Sequence, residues 1–171
     1  MRVLKVYTND IGNGPGVRVS VWCSGCKHKC PECHNPETWD PDQGKDLVCC
    51  WDKILEACDN PEIQGLTITG GDPFDPDWNE IGTYDLTRKF KLRFPNKDVW
   101  VWTGYLYEQI FPLYLKYIDV LVDGKYIHKL RDVTLPYSGS RNQRVIDVQR
   151  SLKEDKVICI DTLKSARVMM I

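Results

Sequence analysis

Half of the eight cysteines in this 171-residue chain fall within eleven positions: Cys23, Cys26, Cys30 and Cys33. Thiols at that density are candidate metal ligands. Cys26, Cys30 and Cys33 stand at C-x3-C-x2-C, a spacing that lets one loop curl its thiolates around a compact centre. A [4Fe-4S] cube needs one outside ligand per iron and normally takes four cysteines, so three would leave one iron open to a substrate. Cys23 extends the run to C-x2-C-x3-C-x2-C, which could close the cluster or complete a four-thiolate zinc site. Spacing alone leaves iron-sulfur and zinc both open.

Cys23 ends the alternating run Val17 to Trp22 and reads as a buried strand residue, since free cysteine behaves as a small hydrophobe. Lys27, His28 and Lys29 place positive charge beside the thiols, which would lower their pKa and favour metal binding. The same three residues also suit a solvated loop face. His28 and His34 could bind zinc, but a mixed site would leave the cysteine spacing without a purpose. A second candidate stretch is Gly70-Gly71-Asp72-Pro73, directly after the β-prone Leu66 to Thr69. Two glycines at a strand's end let backbone groups approach a ligand, and a neighbouring carboxylate can accept bonds from an ammonium. Asp-Pro there reads equally well as the N-cap and first residue of a helix.

The elements that must position these groups follow from local pattern. A short strand is expected over 3 to 7, then a tight turn through Gly12, Gly14, Pro15 and Gly16 that leads into the strand ending at Cys23 and could lie near a ligand. Residues 35 to 46 read as irregular. Trp51, Ile54, Leu55 and Cys58 recur at helical spacing, with Cys58 on the apolar face, while Cys49 and Cys50 have no convincing ligand spacing. A helix is expected over 78 to 94, a strand from Asp98 into a turn at Thr103 to Tyr105, and a helix over 106 to 116 interrupted at Pro112. Ile118 to Val122 reads as a buried strand ended by Asp123-Gly124-Lys125, followed by a polar loop over 137 to 144 and short β-prone pieces. Alternating strands and helices imply parallel β/α units, whose ligands bind beyond the carboxyl edge of the sheet.

Composition bounds the rest. With 42% hydrophobic residues the chain can build one core, so residues 1 to 171 are read as a single domain. A net charge of -1 and a pI near 6.3 give no footprint for nucleic acid or an anionic membrane. The N-terminus lacks the apolar core of a signal peptide, and no apolar run reaches membrane-spanning length. A cytoplasmic location is expected, and in that reducing compartment eight cysteines argue for metal or redox chemistry over disulfides.

The C-x3-C-x2-C loop resembles that of the radical S-adenosylmethionine enzymes. Further stretches resemble the branch that activates anaerobic (class III) ribonucleotide reductases. These are Asn13 to Gly16, Ser24 to Asn35, Thr38-Trp39, Gly70 to Pro73, Asp98 to Tyr105, Val122 to Lys125 and Gly139 to Gln143. The resemblance implies an α/β fold, a truncated (β/α) partial barrel of mostly parallel strands. It implies that Cys26, Cys30 and Cys33 ligate a [4Fe-4S] cluster and that S-adenosyl-L-methionine chelates the fourth iron. Gly70, Gly71 and Asp72 would meet the methionyl ammonium, and backbone around Glu32, Cys33 and His34 would face the adenosyl part. The implied activity is reductive cleavage of that cofactor to a 5'-deoxyadenosyl radical, which generates a glycyl radical on the reductase. The partners implied are the large subunit of the anaerobic reductase and a flavodoxin-type reductant. Two positions depart from the branch: Glu32 stands where it commonly has glycine, and His34 where it usually has tyrosine. A different glycyl-radical target and a non-catalytic electron-transfer module closed by Cys23 remain as alternatives.

Overall fold

The computed structural model describes residues 1–161; the single-domain expectation runs on to 171, outside the described residues. Among the described residues, seven strands form one sheet in the order β3-β1-β2-β4-β5-β6-β7. They are β1 (Arg2–Asp10), β2 (Arg18–Cys23), β3 (Lys45–Asp46), β4 (Gly65–Gly70), β5 (Asp98–Trp102), β6 (Val120–Asp123) and β7 (Arg144–Asp147). The helices are α1 (Trp51–Asp59), α2 (Glu80–Arg93), α3 (Pro112–Leu115) and α4 (Val148–Glu154). The class is α/β, as expected. The sheet is mixed, however: β2, β4, β5 and β6 run parallel, whereas β3-β1, β1-β2 and β6-β7 pair antiparallel. It is also open, with β3 and β7 at its edges.

The period-2 alternation of the parallel strands separates two faces. Val19 and Val21, Leu66 and Ile68, Val99 and Val101, and Leu121 enter the main core, where they meet Ile54 and Cys58 of α1 and Leu86 and Phe90 of α2. The helical spacing read over 51 to 58 is therefore the buried face of α1. Helix α2 buries only Thr83, Leu86, Thr87 and Phe90, a narrow stripe that explains its mixed sequence. The opposite face carries Arg18, Thr67 and Trp100, all buried.

Three expectations are corrected. Residues 106 to 116 are interrupted before Pro112 as expected, but the two parts are shorter than a helix, a 3-10 turn over Tyr107–Gln109 and the short α3, because Phe111 precedes the proline and is held extended, with φ -62 and ψ 129. Among the described β-prone residues after 144, β7 is followed by α4, where the Asp147 side chain accepts a hydrogen bond from the Arg150 N–H, and Cys159 then returns as an isolated bridge to Ile146. The glycine turn of residues 9 to 16 precedes β2 while the cluster loop follows it, so the two lie at opposite edges of the sheet. Arg18 holds that turn: its guanidinium donates to Pro15 O, and Thr67 Oγ1 donates to Asn13 O at 2.6 Å. Among the described residues, no helix is long and apolar enough to cross a membrane.

Candidate functional site

The carboxyl ends of the four parallel strands share one edge. The cysteine loop follows β2, Gly71-Asp72 follows β4, Thr103-Gly104 follows β5 and Gly124 follows β6. Cys23 pairs with Gly70 in the parallel register, and the ladder continues beyond the strands. Gly71 N–H donates to Cys23 O and Asp72 N–H donates to Gly25 O, each at 2.8 Å. Gly70 sits at φ +101, and a Cβ on Gly71 would stand 2.5 Å from Gly25 O. This close approach is what requires the two glycines.

A cavity of about 210 Å³ opens at this edge. Cys26, Cys30 and Cys33 all line it, together with His34, Gly70, Gly71 and Asp72. Of the residues that the resemblance assigns to the cluster or the cofactor, Glu32 alone does not line it. Glu32 is exposed at φ +58, a left-handed conformation natural to glycine, which explains why glycine suits that position. His34 packs its ring 5.7 Å from that of Tyr126, another lining residue. Cys23 is fully buried as the last residue of β2 and is not part of the lining. Among the described residues, no three His, Cys, Asp or Glu side chains are grouped as ligands of a single metal ion. Three thiols facing one cavity, with glycine backbone opposite, fit a multi-iron cluster in which each iron takes its own ligand.

The charge around the sulfurs differs from expectation. Burial, aided by the carboxylate of Asp72, pushes the Cys26 thiol up to about 11, and what opposes the rise is hydrogen bonding from the backbone of His28 and Lys29. Lys27 turns away, pairing with Asp77 and lying 5.2 Å from the Trp78 ring centroid. Burial also raises Cys30, and the cation that opposes this is Lys125, just beyond β6.

Two residues with clear positioning roles escaped the sequence reading. Asn79, buried before α2, directs one amide nitrogen at Ser24 O, Gly25 O and Asp72 O, at 2.9, 3.2 and 2.8 Å. Asp75, also buried, accepts the Lys27 N–H at 3.3 Å. Together they clasp the chain on both sides of Cys26. Their signal was the i, i+4 spacing of Asp75 and Asn79 immediately after Gly70 to Pro73, which puts both groups on one face of the turn leading into α2.

Residues 12–146 match the family model of a 4Fe-4S single cluster domain, a span containing every residue that lines the cavity. The anaerobic ribonucleoside-triphosphate reductase-activating protein of Enterobacteria phage T4 is 44% identical over 143 residues, covering 82% of this chain and 90% of its own length. The chain belongs to this family. The activating protein of Escherichia coli K12 is 37% identical over 151 residues, covering 85% of this chain and 97% of its own. That of Vibrio cholerae is 38% identical over 149 residues, covering 84% and 96%. Membership in the reductase-activating family accounts for the cysteine loop as part of a 4Fe-4S domain and disfavours the zinc reading.

Proposed function

We propose that the chain reductively cleaves S-adenosyl-L-methionine at a [4Fe-4S] cluster and thereby generates a glycyl radical on the large subunit of an anaerobic ribonucleotide reductase. The observation that carries this reading is that all three thiols of one C-x3-C-x2-C loop line the same cavity as Gly70 and Gly71. Cys26, Cys30 and Cys33 would hold the cluster, leaving one iron without a protein ligand, while Cys23 stays in the strand. The bound cluster and cofactor would supply the one-electron cleavage and the hydrogen abstraction from glycine. Glycine backbone at the end of β4 would receive the methionyl end, and Cys33, His34 and the backbone of the neighbouring Glu32 would border the adenosyl side. Trp102 lines the cavity and donates its indole N–H to Tyr137 O at 2.9 Å, so the 131–143 segment is anchored beside the opening. The open sheet is read as the truncated barrel of the radical S-adenosylmethionine fold, and a flavodoxin-type protein as the reductant.

The test is anaerobic reconstitution, with the electron paramagnetic resonance spectrum of the reduced protein recorded with and without S-adenosylmethionine and with 5'-deoxyadenosine measured. A spectrum perturbed by the cofactor and product formation, both lost in Cys30→Ala, are expected. Product formation retained in Cys30→Ala would defeat the assignment. Loss of the cluster in Cys23→Ala would instead favour a relay closed by four cysteines.

A further inference from the structure

Asp72 supplies the acid of the Gly-Gly-acid motif, yet its surroundings leave it little to offer a ligand. The residue is 1% exposed. Thr103 Oγ1 and the Phe74 N–H donate to Oδ1 at 2.7 and 2.9 Å, and the Gly104 N–H donates to Oδ2 at 2.8 Å. An ionised carboxylate has about four acceptor positions, so three are already filled. The remaining direction is crowded by His28, whose Nε2 lies 3.0 Å from Oδ2 but is not aligned for a hydrogen bond. His28 is itself wedged: its ring centroid is 4.6 Å from that of Tyr105, and a Cβ on Gly104 would overlap it. A ligand ammonium reaching this carboxylate would have to displace a packed ring or break a charge-assisted bond to a buried group.

We propose that Asp72 is a positioning residue and not a ligand of the methionyl ammonium. Its carboxylate ties the loop after β5 to the loop after β4 and backs His28, the middle residue between Cys26 and Cys30. The backbone of Gly70-Gly71 is left to meet the ammonium. This rests on the proposed function for the identity of the ligand, but the carboxylate's engagement stands without it.

Two measurements on Asp72→Asn separate these dependences. In the cluster-free protein, amide hydrogen exchange should accelerate by about tenfold or more at whichever of Phe74 and Gly104 the new amide nitrogen faces, since asparagine keeps an acceptor oxygen for only one of them. Unchanged exchange would overturn the proposal. In the cluster-loaded protein, binding of S-adenosylmethionine is compared with binding of its analogue lacking the α-amino group. A positioning role weakens both by the same factor, about tenfold. Direct contact weakens S-adenosylmethionine alone, and that result would also overturn the proposal. If the wild-type protein binds neither compound the proposed function fails, while the exchange experiment still decides whether the carboxylate organises the loops. Thr103→Val provides a second variant should Asp72→Asn not fold: it removes one bond to the carboxylate and should weaken both compounds equally.

Discussion

Arg18→Met tests whether the buried guanidinium organises the amino edge of the sheet. Arg18 is fully buried, and its Nη2 lies 2.6 Å from Asp98 Oδ1 and 3.0 Å from Leu66 O. Its Nε donates to Thr67 Oγ1 at 2.8 Å and its Nη1 to Pro15 O at 3.2 Å. Methionine keeps the stem's packing and deletes every one of these donors. Removing one partner of a buried pair costs about 3–5 kcal/mol. The Asp98 side chain is 39% exposed and regains water, so the lower end, about 3 kcal/mol, applies. For a chain of this size, that lowers Tm by roughly 6–12 °C. Asp98→Asn should cost about as much, because it leaves the buried cation without its counter-charge, and the double variant should cost less than the sum. The assay is thermal unfolding of the cluster-free protein followed by circular dichroism. A drop below about 2 °C for Arg18→Met, or strict additivity, would refute the reasoning.

Gly71→Ala should abolish cluster loading and cost about 1–3 kcal/mol, because its Cβ would stand 2.5 Å from Gly25 O; wild-type iron content would contradict this. Thiol labelling at pH 8 should reach the exposed Cys49 and Cys159 first and leave Cys23 and Cys58 unreacted until the protein unfolds. Burial pushes the Cys58 thiol up to about 12, so its rapid labelling in the folded protein would be inconsistent with the packing of α1. Glu108 is held below the usual carboxylate range by its hydrogen bonds from Arg144. A depressed folded pKa contributes stability above the unfolded value and loses it as pH falls through the folded one. The Tm difference between wild type and Glu108→Gln should therefore be present at pH 7 and shrink progressively as pH falls below the ordinary glutamate value of about 4.3; a difference that stays constant through the acid range would refute the pairing.

Much of the site was legible because its chemistry is concentrated in short stretches. The cysteine spacing and the glycines at the end of β4 each require particular residue types whatever the remainder of the chain does. The parallel core strands were equally legible, since Val99 and Val101 or Leu66 and Ile68 carry their period-2 signal locally. What escaped reading depends on partners far away in the chain. Residues 45 and 46 form a strand only because Arg2 and Val3 lie alongside them. The role of Asn79 exists only once Ser24, Gly25 and Asp72 converge on its amide. Lys125 influences Cys30 across nearly a hundred positions, whereas Lys27, next to Cys26, pairs with Asp77. Sequence proximity was a poor guide to electrostatic proximity here.

The ladder that runs on from β2 and β4 into the loops limits how such a chain can change length. An insertion between Cys23 and Cys26, or between Gly70 and Asp72, would move the bonds of Gly71 to Cys23 and of Asp72 to Gly25 out of phase together. Neither segment can drift alone during divergence; a length change in one demands a matching change in the other. The exposed tip at Val133 and Thr134 lies outside the pairing of Leu130 to Asp132 with Gly139 to Arg141, so length variation can accumulate there while the spacing at the cavity floor stays fixed.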